Sequence, residues 1–253
     1  MVVHPGKSCY NVEKWEVRAM AELIRGVGIF ALYIIPGAMG ALLLRRFARI
    51  PDEVFRKLLH FLMVGAYSIF FSFRTWWLAA VFVALLAVAF FLLFSLLGRL
   101  PGFPEFINER RPGELKISMT LALGTVNLSI ALSWGWLEDK HLALAALYAW
   151  GIGDGCAALV GTRFGRHKIS WRLSDGKKSW EGSIAMMLTA SAAVFLILWL
   201  RGGLPLGLCG LIAVAAGTAA AFAELCSRGG MDTVTCPLTA LAVLVPLVKL
   251  FGQ

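Results

Sequence analysis

The sequence predicts an all-α fold, a polytopic membrane bundle of about eight transmembrane helices. Hydrophobic residues make up 59% of the 253 residues and charged residues only 15%, a composition typical of integral membrane proteins. Several apolar runs also approach about 20 residues, the length at which a helix crosses about 30 Å of hydrocarbon. The lipid bilayer is therefore expected to surround most of the chain.

Eight apolar segments have a length suited to crossing the membrane. In chain order they are 27–44, 58–73, 76–97, 117–137, 141–160, 184–200, 204–224 and 236–251. The second and the eighth are short, and Pro36 and Pro246 interrupt the first and the last, so boundaries are expected to shift by a few residues. Residues 1–26 carry charges of both signs without a signal-peptide pattern and are predicted to be an N-terminal extension. The whole of 1–253 is predicted to form a single integral-membrane domain.

The positive charge of the chain indicates its orientation. Net charge is +9, and Lys and Arg concentrate in the connections 45–57, 98–116 and 161–183. The intervening connections hold only Arg74, Lys140 and Arg201. Because basic short loops tend to stay in the cytoplasm, these three connections and 225–235 are expected to face the cytoplasm, with both termini opposite. Binding of anionic headgroups is the simpler explanation for many of these cations.

Asp154 interrupts an apolar segment near its predicted cytoplasmic end. An unpaired carboxylate there would cost up to a few kcal/mol, so it needs a cation, a metal or a water-filled cavity. A helix-capping role beside Gly153 and Gly155 is the alternative. Farther along the chain, Gly161 and Gly165 continue a four-residue spacing of small residues that begins at Ala157. Such a face lets a ligand or another helix approach closely, and ordinary helix packing explains it equally well.

The stretch "DGKKSWEGS" precedes the apolar run that begins at Ile184. Ser179 or Ser183 is expected to cap the helix there, and free backbone N–H groups with Lys177 and Lys178 would then suit polyphosphate oxygens. The pattern is not a Walker A loop. A lysine pair at a membrane edge is also typical of a simple topology signal.

Two further carboxylates follow. Glu224 closes an Ala-rich span, and Asp232 lies in "SRGGMDTVTCP", where Pro237 is predicted to open the last helix. A plain hairpin between two spans is the alternative for this segment. We expect Glu224 and Asp232 to meet Asp154, because Mg²⁺ is typically held by one or two carboxylates together with substrate phosphates.

Near the start of the second span, "RKLLH" supplies Arg56, Lys57 and His60. Arg56 and His60 are four residues apart and are predicted to share a helix face. His60 is a candidate general base or phosphate ligand, and a satisfied interfacial polar side chain is the alternative.

These motifs together resemble the polyprenol kinase family, which includes dolichol kinase, phytol kinase, farnesol kinase and CTP-dependent diacylglycerol kinase. The resemblance is carried by "DGCAALVGTRFG" and "KKSWEG", and secondarily by "RKLLH" and "ELCSRGGMDTVTCPL". It implies phosphoryl transfer from CTP to the hydroxyl of a membrane lipid alcohol (phytol, dolichol, another polyprenol or diacylglycerol), with Mg²⁺ or another divalent ion. The residues themselves do not distinguish CTP from ATP.

The resemblance also implies roles for individual residues. Asp154 would bind the metal, and it is also a candidate for contact with the acceptor hydroxyl. Glu224 and Asp232 would be further metal ligands. Asp232 is in addition a catalytic candidate. Glu181 would orient the lysines or bind metal. The nucleotide would lie against Gly161, Gly165, Lys177, Lys178, Ser179 and Gly182. The catalytic segments would then be 154–182 and 224–237.

Two other functions remain open at this point. A phosphatidate cytidylyltransferase that makes CDP-diacylglycerol needs the same nucleotide, metal and interface, although its "HGGxxDR" type of block is not found here. A transporter would use Asp154, Asn127 and Glu224 along a pathway, although no internal repeat supports one. No nucleic-acid partner is expected, and the oligomeric state is left open.

Overall fold

Eight helices form the described part of the protein. The computed structural model describes residues 6–48, 50–100, 102–103, 113–169 and 178–252, with side chains from Trp15 onward. The helices are α1 (Gly6–Ala48), α2 (Asp52–Ala66), α3 (Trp76–Leu97), α4 (Glu114–Ile130), α5 (Lys140–Phe164), α6 (Trp180–Arg201), α7 (Leu206–Cys226) and α8 (Asp232–Phe251). A 3₁₀ helix, Tyr67–Ser72, continues α2, and a π-helical turn, Ala131–Trp136, continues α4. All eight segments are long and apolar enough to cross a membrane, which confirms the predicted fold class and number of spans.

Helix α1 is much longer than predicted. It begins at Gly6 rather than near residue 27, so most of the expected N-terminal extension is helical. Two charged residues of this part contact the turn before α3: Arg25 donates to the Ser72 carbonyl, and Glu22 accepts from the Arg74 backbone N–H at 3.3 Å. Pro36 lies inside α1 without ending it.

Helix α8 also begins earlier than predicted. It starts at Asp232, so Pro237 does not open the helix but lies within it, as does Pro246. The prediction took proline as a start signal. In a membrane bundle, neighbouring groups can satisfy the backbone that proline leaves unpaired, so an internal proline is tolerated.

Helix α5 is the centre of the bundle. It packs against α2, α6 and α8, and α7 closes the group through its contacts with α6 and α8. Close approach to α2 depends on two glycines of α5: a Cβ at Gly151 would lie 2.7 Å from a Val64 methyl, and one at Gly155 would overlap the Phe61 ring. Helices α1 and α3 are peripheral and expose large apolar side chains to lipid, including Leu32, Leu85 and Phe91.

The polar side chains divide between the two ends of the bundle. Alternation of the helices brings the ends of α1, α5 and α7 together with the starts of α2, α6 and α8, and ion pairs join these segments to one another. We call this the site end. At the opposite end Asp139 caps α5 by accepting from the His141 N–H and binds Arg201 of α6 at 2.5 Å. Lys57, Asp154, Lys178, Glu224 and Asp232 all lie at the site end, on one side of the bundle as the loop charges predicted.

A substitution at Gly217 tests the packing of α6 against α7. A Cβ there would lie 2.7 Å from the Ser191 backbone nitrogen and 3.0 Å from the Met187 carbonyl oxygen. Gly217→Ala is therefore expected to destabilise the protein by about 1–3 kcal/mol through overpacking. The matched control is Gly210→Ala on the same helix, where a Cβ meets nothing within 4 Å. Thermal unfolding in detergent compares them, and equal melting temperatures would contradict this account.

Candidate active site

The centre of the candidate site is an ion pair between α2 and α5. The Lys57 ammonium lies 2.8 Å from the Asp154 carboxylate, and both side chains are largely buried, 11% and 19% exposed. His60 Nε2 lies 3.6 Å from the same carboxylate and 2.8 Å from the Gly151 carbonyl oxygen. A carbonyl only accepts, so Nε2 carries a proton and donates it there. Asp154 thus has the cation that its position required.

Helix α2 turns Lys57, rather than Arg56, toward Asp154. The Arg56 guanidinium reaches back one turn to Glu53 at 2.8 Å. Arg56 and His60, predicted to share a helix face, lie four residues apart on α2 and interact electrostatically, while the ion pair of Arg56 is with Glu53. Lys57 and His60, three residues apart, are the residues of this motif that lie beside Asp154. A buried lysine in an apolar helix was the signal in the sequence, since such a charge needs a carboxylate partner.

A second ion pair joins the start of α6 to the end of α7. The Lys178 ammonium lies 3.0 Å from the Glu224 carboxylate and donates to the backbone carbonyls of Glu224 and Ser227, the latter at 3.0 Å. A lysine has three N–H donors, so these contacts occupy all of them. The last carbonyls of a helix favour a cation through the helix dipole. Lys178 therefore ties two elements together at the site end.

Asp232 is the third carboxylate of the site. It is the first residue of α8 and half-buried, and it interacts electrostatically with Asp154, Lys57 and Lys178. Within the described ranges it forms no ion pair with a Lys, Arg or His. Glu224 and Asp232 thus both interact electrostatically with Asp154, and their joint binding of a metal stays a prediction. Among the same residues, no three His, Cys, Asp or Glu side chains lie close enough to hold a metal by themselves.

Two backbone N–H groups at the start of α6 have partners outside the helix ladder. Ser179 caps the helix by accepting from the Gly182 N–H at 3.2 Å. The Trp180 N–H donates to the His167 carbonyl and the Ser183 N–H to the Ser179 carbonyl, each at 3.0 Å. The predicted cap is therefore confirmed at Ser179. The segment after α5 takes the Trp180 N–H, and Ser179 takes the Gly182 N–H, so these two donors are not free for a phosphate in this structure. A phosphate site at this terminus stays a prediction.

Glu181 holds that returning segment. Its carboxylate accepts from the backbone N–H groups of Arg166 and His167, each at 3.2 Å, and lies 2.7 Å from His167 Nδ1. Its contacts in the described chain are with residues 166–167 and with no lysine. Glu181 was predicted to orient the lysines, but it does not contact Lys178 in this structure. Lys177, the other predicted phosphate ligand, lies outside the described residues.

The small residues of the motif bring α5 and α6 together. A Cβ at Gly182 would lie 2.9 Å from the Ala157 carbonyl oxygen and 3.4 Å from Gly161 Cα, and one at Gly165 would lie 2.7 Å from Ser179 Oγ. Packing is therefore a function that Gly161, Gly165 and Gly182 perform in this structure. It sets the distance between Asp154 on α5 and the Lys178–Ser179 segment.

Known proteins resemble this chain over most of its length. The sequence profile of the cytidylyltransferase family matches residues 17–253. A phytol kinase from Synechocystis sp. is 33% identical over 208 residues, which cover 76% of this chain and 77% of that protein. No solved structure gives a significant match.

The match to the family profile extends from α1 to the C-terminus and includes every element of the site. The similarity to a phytol kinase agrees with the resemblance carried by the motifs around Asp154 and Lys178. The chain belongs to the cytidylyltransferase family and, within it, to the polyprenol and phytol kinases.

Proposed function

We propose that the protein is a lipid-alcohol kinase that transfers a phosphoryl group from CTP to the hydroxyl of a membrane-embedded isoprenoid alcohol. The observation that carries the proposal is the cluster of the Lys57–Asp154 and Lys178–Glu224 pairs with Asp232 at one end of an apolar bundle. The similarity to a phytol kinase supports the alcohol acceptor. The family description supports a cytidine nucleotide as the donor.

The depth of the site suits a lipid acceptor. Asp154 lies within α5, about 15 Å from the Phe164 end along the axis at about 1.5 Å per residue. A lipid alcohol can keep its chain in hydrocarbon while its hydroxyl reaches Asp154 from the side of the bundle. A nucleotide enters the same end from water. The lipid alcohol therefore keeps its chain in hydrocarbon and the nucleotide stays in water while the two react.

The carboxylates of the site fit a divalent cation bound together with phosphates. Mg²⁺ prefers oxygen ligands and commonly takes one or two carboxylates, with waters and substrate phosphates completing its shell. Asp232 is the best placed ligand, because its carboxylate has no cation partner in the described chain, whereas Glu224 is held by Lys178. Asp154 is held by Lys57 in the same way, so Asp154 and Glu224 would be further ligands. The bound ion would neutralise charge on the transferring phosphoryl group.

Asp154 is proposed to position the acceptor. Its carboxylate accepts a hydrogen bond from the alcohol, while Lys57 holds it from the α2 side. The hydroxyl oxygen then forms a bond to the γ-phosphorus, the bond from that phosphorus to the β–γ bridging oxygen breaks, and CDP leaves. The hydroxyl proton passes to Asp154. Such a reaction depends mainly on positioning and charge neutralisation.

Lys178 is proposed to supply positive charge beside the nucleotide phosphates. Its donors are occupied by Glu224 and Ser227, so direct contact with a phosphate oxygen requires it to release one of the carbonyls. Lys177, next in the chain, is proposed as its companion. Glu181, Gly161, Gly165, Ser179 and Gly182 are proposed to act on the nucleotide through the shape of the α5–α6 connection.

A phosphatidate cytidylyltransferase is the nearest alternative, and the family description is compatible with it. The two reactions differ in their products, since a kinase releases CDP and a cytidylyltransferase releases pyrophosphate. The similarity to a phytol kinase favours the kinase. A transporter with Asp154, Asn127 and Glu224 along its pathway has no comparable support.

The products formed by purified protein in lipid vesicles test the reaction type. With CTP, Mg²⁺ and phytol we expect phytyl phosphate and CDP in equal amounts, and no product after chelation of the metal. ATP in place of CTP is expected to react poorly. Chromatography of the labelled nucleotide and lipid gives both products. Release of pyrophosphate with phosphatidate as acceptor would contradict the kinase assignment, and nucleotide-independent uptake by vesicles would favour a transporter.

Substitution of Asp154 tests the site. Asp154→Asn is expected to lower kcat about a hundredfold or more, about 3 kcal/mol of barrier, because the proton acceptor and a metal ligand are lost. Lys178→Gln is expected to have an effect of similar size. Lys249→Gln, an exposed lysine at the far end of α8, is the matched control and is expected to retain activity.

A double variant separates chemistry from folding. Lys57→Met alone leaves the Asp154 carboxylate unpaired and is expected to destabilise the protein. Lys57→Met combined with Asp154→Asn removes both charges, so stability should largely return while activity stays low. Activity that recovers together with stability would mean that the pair is only structural.

Labelling of single cysteines tests the proposed cytoplasmic orientation of the site end. In a cysteine-free background, Arg166→Cys is expected to react with an impermeant maleimide only after cells are opened. Arg74→Cys, at the opposite end and 79% exposed in its side chain, is expected to react in intact cells. The reverse pattern would contradict the orientation and leave the internal geometry of the site unaffected.

A further inference from the structure

An open groove with three arginines lies at the end of the bundle opposite the candidate site. It runs between α1 and the turn that joins the 3₁₀ helix to α3, and its volume is about 460 Å³. Its lining consists of Arg18, Ala21, Glu22 and Arg25 of α1 and Arg74 of the turn. We call it the arginine groove. It shares no residue with the candidate site and is separate from it.

The fold holds the two walls of the arginine groove against each other. Glu22 and Arg25 follow Arg18 at four and seven residues, which places all three on one face of α1. That face meets the turn before α3, because the Arg25 guanidinium donates to the Ser72 carbonyl. The Glu22 carboxylate accepts from the Arg74 backbone N–H at 3.3 Å. The arginines of the two walls are therefore brought together by contacts between elements distant in sequence.

The arginine groove carries more positive charge than its own carboxylate balances. Glu22 lies 3.7 Å from the Arg74 guanidinium, whose side chain is 79% exposed. Arg18 and Arg25 form no ion pair within the described ranges. Three guanidinium groups and one carboxylate leave two positive charges in excess. A guanidinium presents its N–H donors as a planar fork that fits two phosphate oxygens, so the groove suits a phosphate group.

The height of the arginine groove is that of a headgroup layer. Arg25 lies about 34 Å from the Ala48 end of α1 at about 1.5 Å per residue, and the hydrocarbon core of a bilayer is about 30 Å thick. One turn before Arg18, Trp15 stacks on Trp77 of α3 with ring centroids 5.2 Å apart. Tryptophan is enriched at the interface between membrane and water. The phosphates of the leaflet opposite the candidate site therefore lie at the level of the groove.

The surface of α1 next to the arginine groove is apolar and suits lipid chains. Ile29 and Leu32 follow Arg25 at four and seven residues, on the side toward the membrane centre, and both side chains are exposed. A phospholipid with its phosphate among the arginines would keep its chains along these two residues. Free phosphate would gain the charge contacts alone, so a lipid is the better occupant.

We infer that the arginine groove binds the phosphate of an anionic phospholipid in the leaflet opposite the candidate site. The bound lipid bridges α1 and the turn before α3, and it stabilises the peripheral helix α1 against the rest of the bundle. A ligand that binds only the folded protein stabilises it by mass action. The lipid takes no part in the proposed phosphoryl transfer, which occurs at the other end of the bundle.

Photo-cross-linking with a defined lipid tests the arginine groove. Purified protein in phosphatidylcholine vesicles receives increasing amounts of phosphatidylglycerol with a diazirine in its headgroup, and mass spectrometry locates the labelled residues after photolysis. Saturable labelling of residues 15–25 and 72–77 is expected. Arg18→Gln is expected to raise the lipid fraction that half-saturates this labelling about fivefold, because one cation near anionic lipid contributes about that factor to binding. Adding Arg74→Gln is expected to raise it further, to about tenfold or more.

Lys249→Gln is the matched control, because Lys249 is an exposed cation at the same end of the bundle but outside the arginine groove. It is expected to leave the labelling of residues 15–25 unchanged. Equal shifts in Arg18→Gln and Lys249→Gln would mean that this end attracts anionic lipid only in general, and would overturn the inference. Labelling without saturation at residues 15–25 would overturn it too. Arg18 is exposed, so Arg18→Gln is expected to fold, and it decides the test if the double variant does not.

Competition separates a lipid from a free anion. Unlabelled phosphatidylglycerol in excess is expected to remove the labelling of residues 15–25, whereas additional phosphatidylcholine or inorganic phosphate is expected to leave it in place. Removal by inorganic phosphate would assign the groove to a free anion and overturn the lipid as its occupant. Phosphatidylglycerol is also expected to raise the melting temperature of the wild type and of Lys249→Gln more than that of Arg18→Gln. Neither measurement uses turnover, so the proposed function stands or falls separately.

Discussion

The requirement that a charge inside the membrane be paired governs the centre of this structure. Asp154 lies within an apolar helix, and Lys57 from a different span answers it at 2.8 Å. Breaking such a pair by removing one partner typically costs about 3–5 kcal/mol. The pair therefore fixes α2 against α5, and it does so at the level of His60. Gly151 and Gly155 make the contact possible by admitting Val64 and Phe61 against the α5 backbone.

The second pair extends the same constraint to α6 and α7. Lys178 reaches across to Glu224 and to the last carbonyls of α7, so a short segment before α6 is held by the end of another helix. Asp232 begins α8 in the field of both lysines and of Asp154. Among the described residues, the two pairs balance two carboxylates with two ammonium groups, and Asp232 forms no ion pair with a Lys, Arg or His. This carboxylate is the reason that we propose a divalent cation at this place, bound together with phosphates.

Much of this arrangement could be predicted from the sequence, because hydropathy and loop charge are averages over many residues and tolerate local errors. The number of spans follows from the hydropathy of whole segments, and the common side of the polar connections follows from the number of Lys and Arg residues in each. The start of α1 could not be predicted from hydropathy, because residues 6–26 carry charges of both signs, and the contacts of Arg25 and Glu22 with the turn before α3 join residues 47 and 52 positions apart. Pro237 was wrongly predicted to begin the last helix, which starts at Asp232 instead, because neighbouring groups can compensate for the N–H that proline lacks.

The site residues divide in the same way. Asp154, Glu224 and Asp232 could be predicted to converge, because all three lie at the same membrane edge, where a carboxylate needs polar surroundings rather than lipid. The individual ion pairs could not be predicted, because they depend on side-chain rotamers. Arg56 pairs with Glu53, and Lys57 pairs with Asp154. The partners of Glu181 depend on how residues 165–169 fold back, which no local pattern specifies.

The glycine motif connects packing with chemistry. Gly161, Gly165 and Gly182 let α5 and α6 approach until backbone nearly touches backbone, and Ser179 fills the remaining space as the helix cap. Any larger side chain would move the start of α6, and Lys178 with it, away from Asp154. Packing thus accounts for the spacing of these small residues, and their contact with a nucleotide stays a prediction. What the motif specifies is the distance between two charged groups, and that distance is what a reaction governed by charge and position requires.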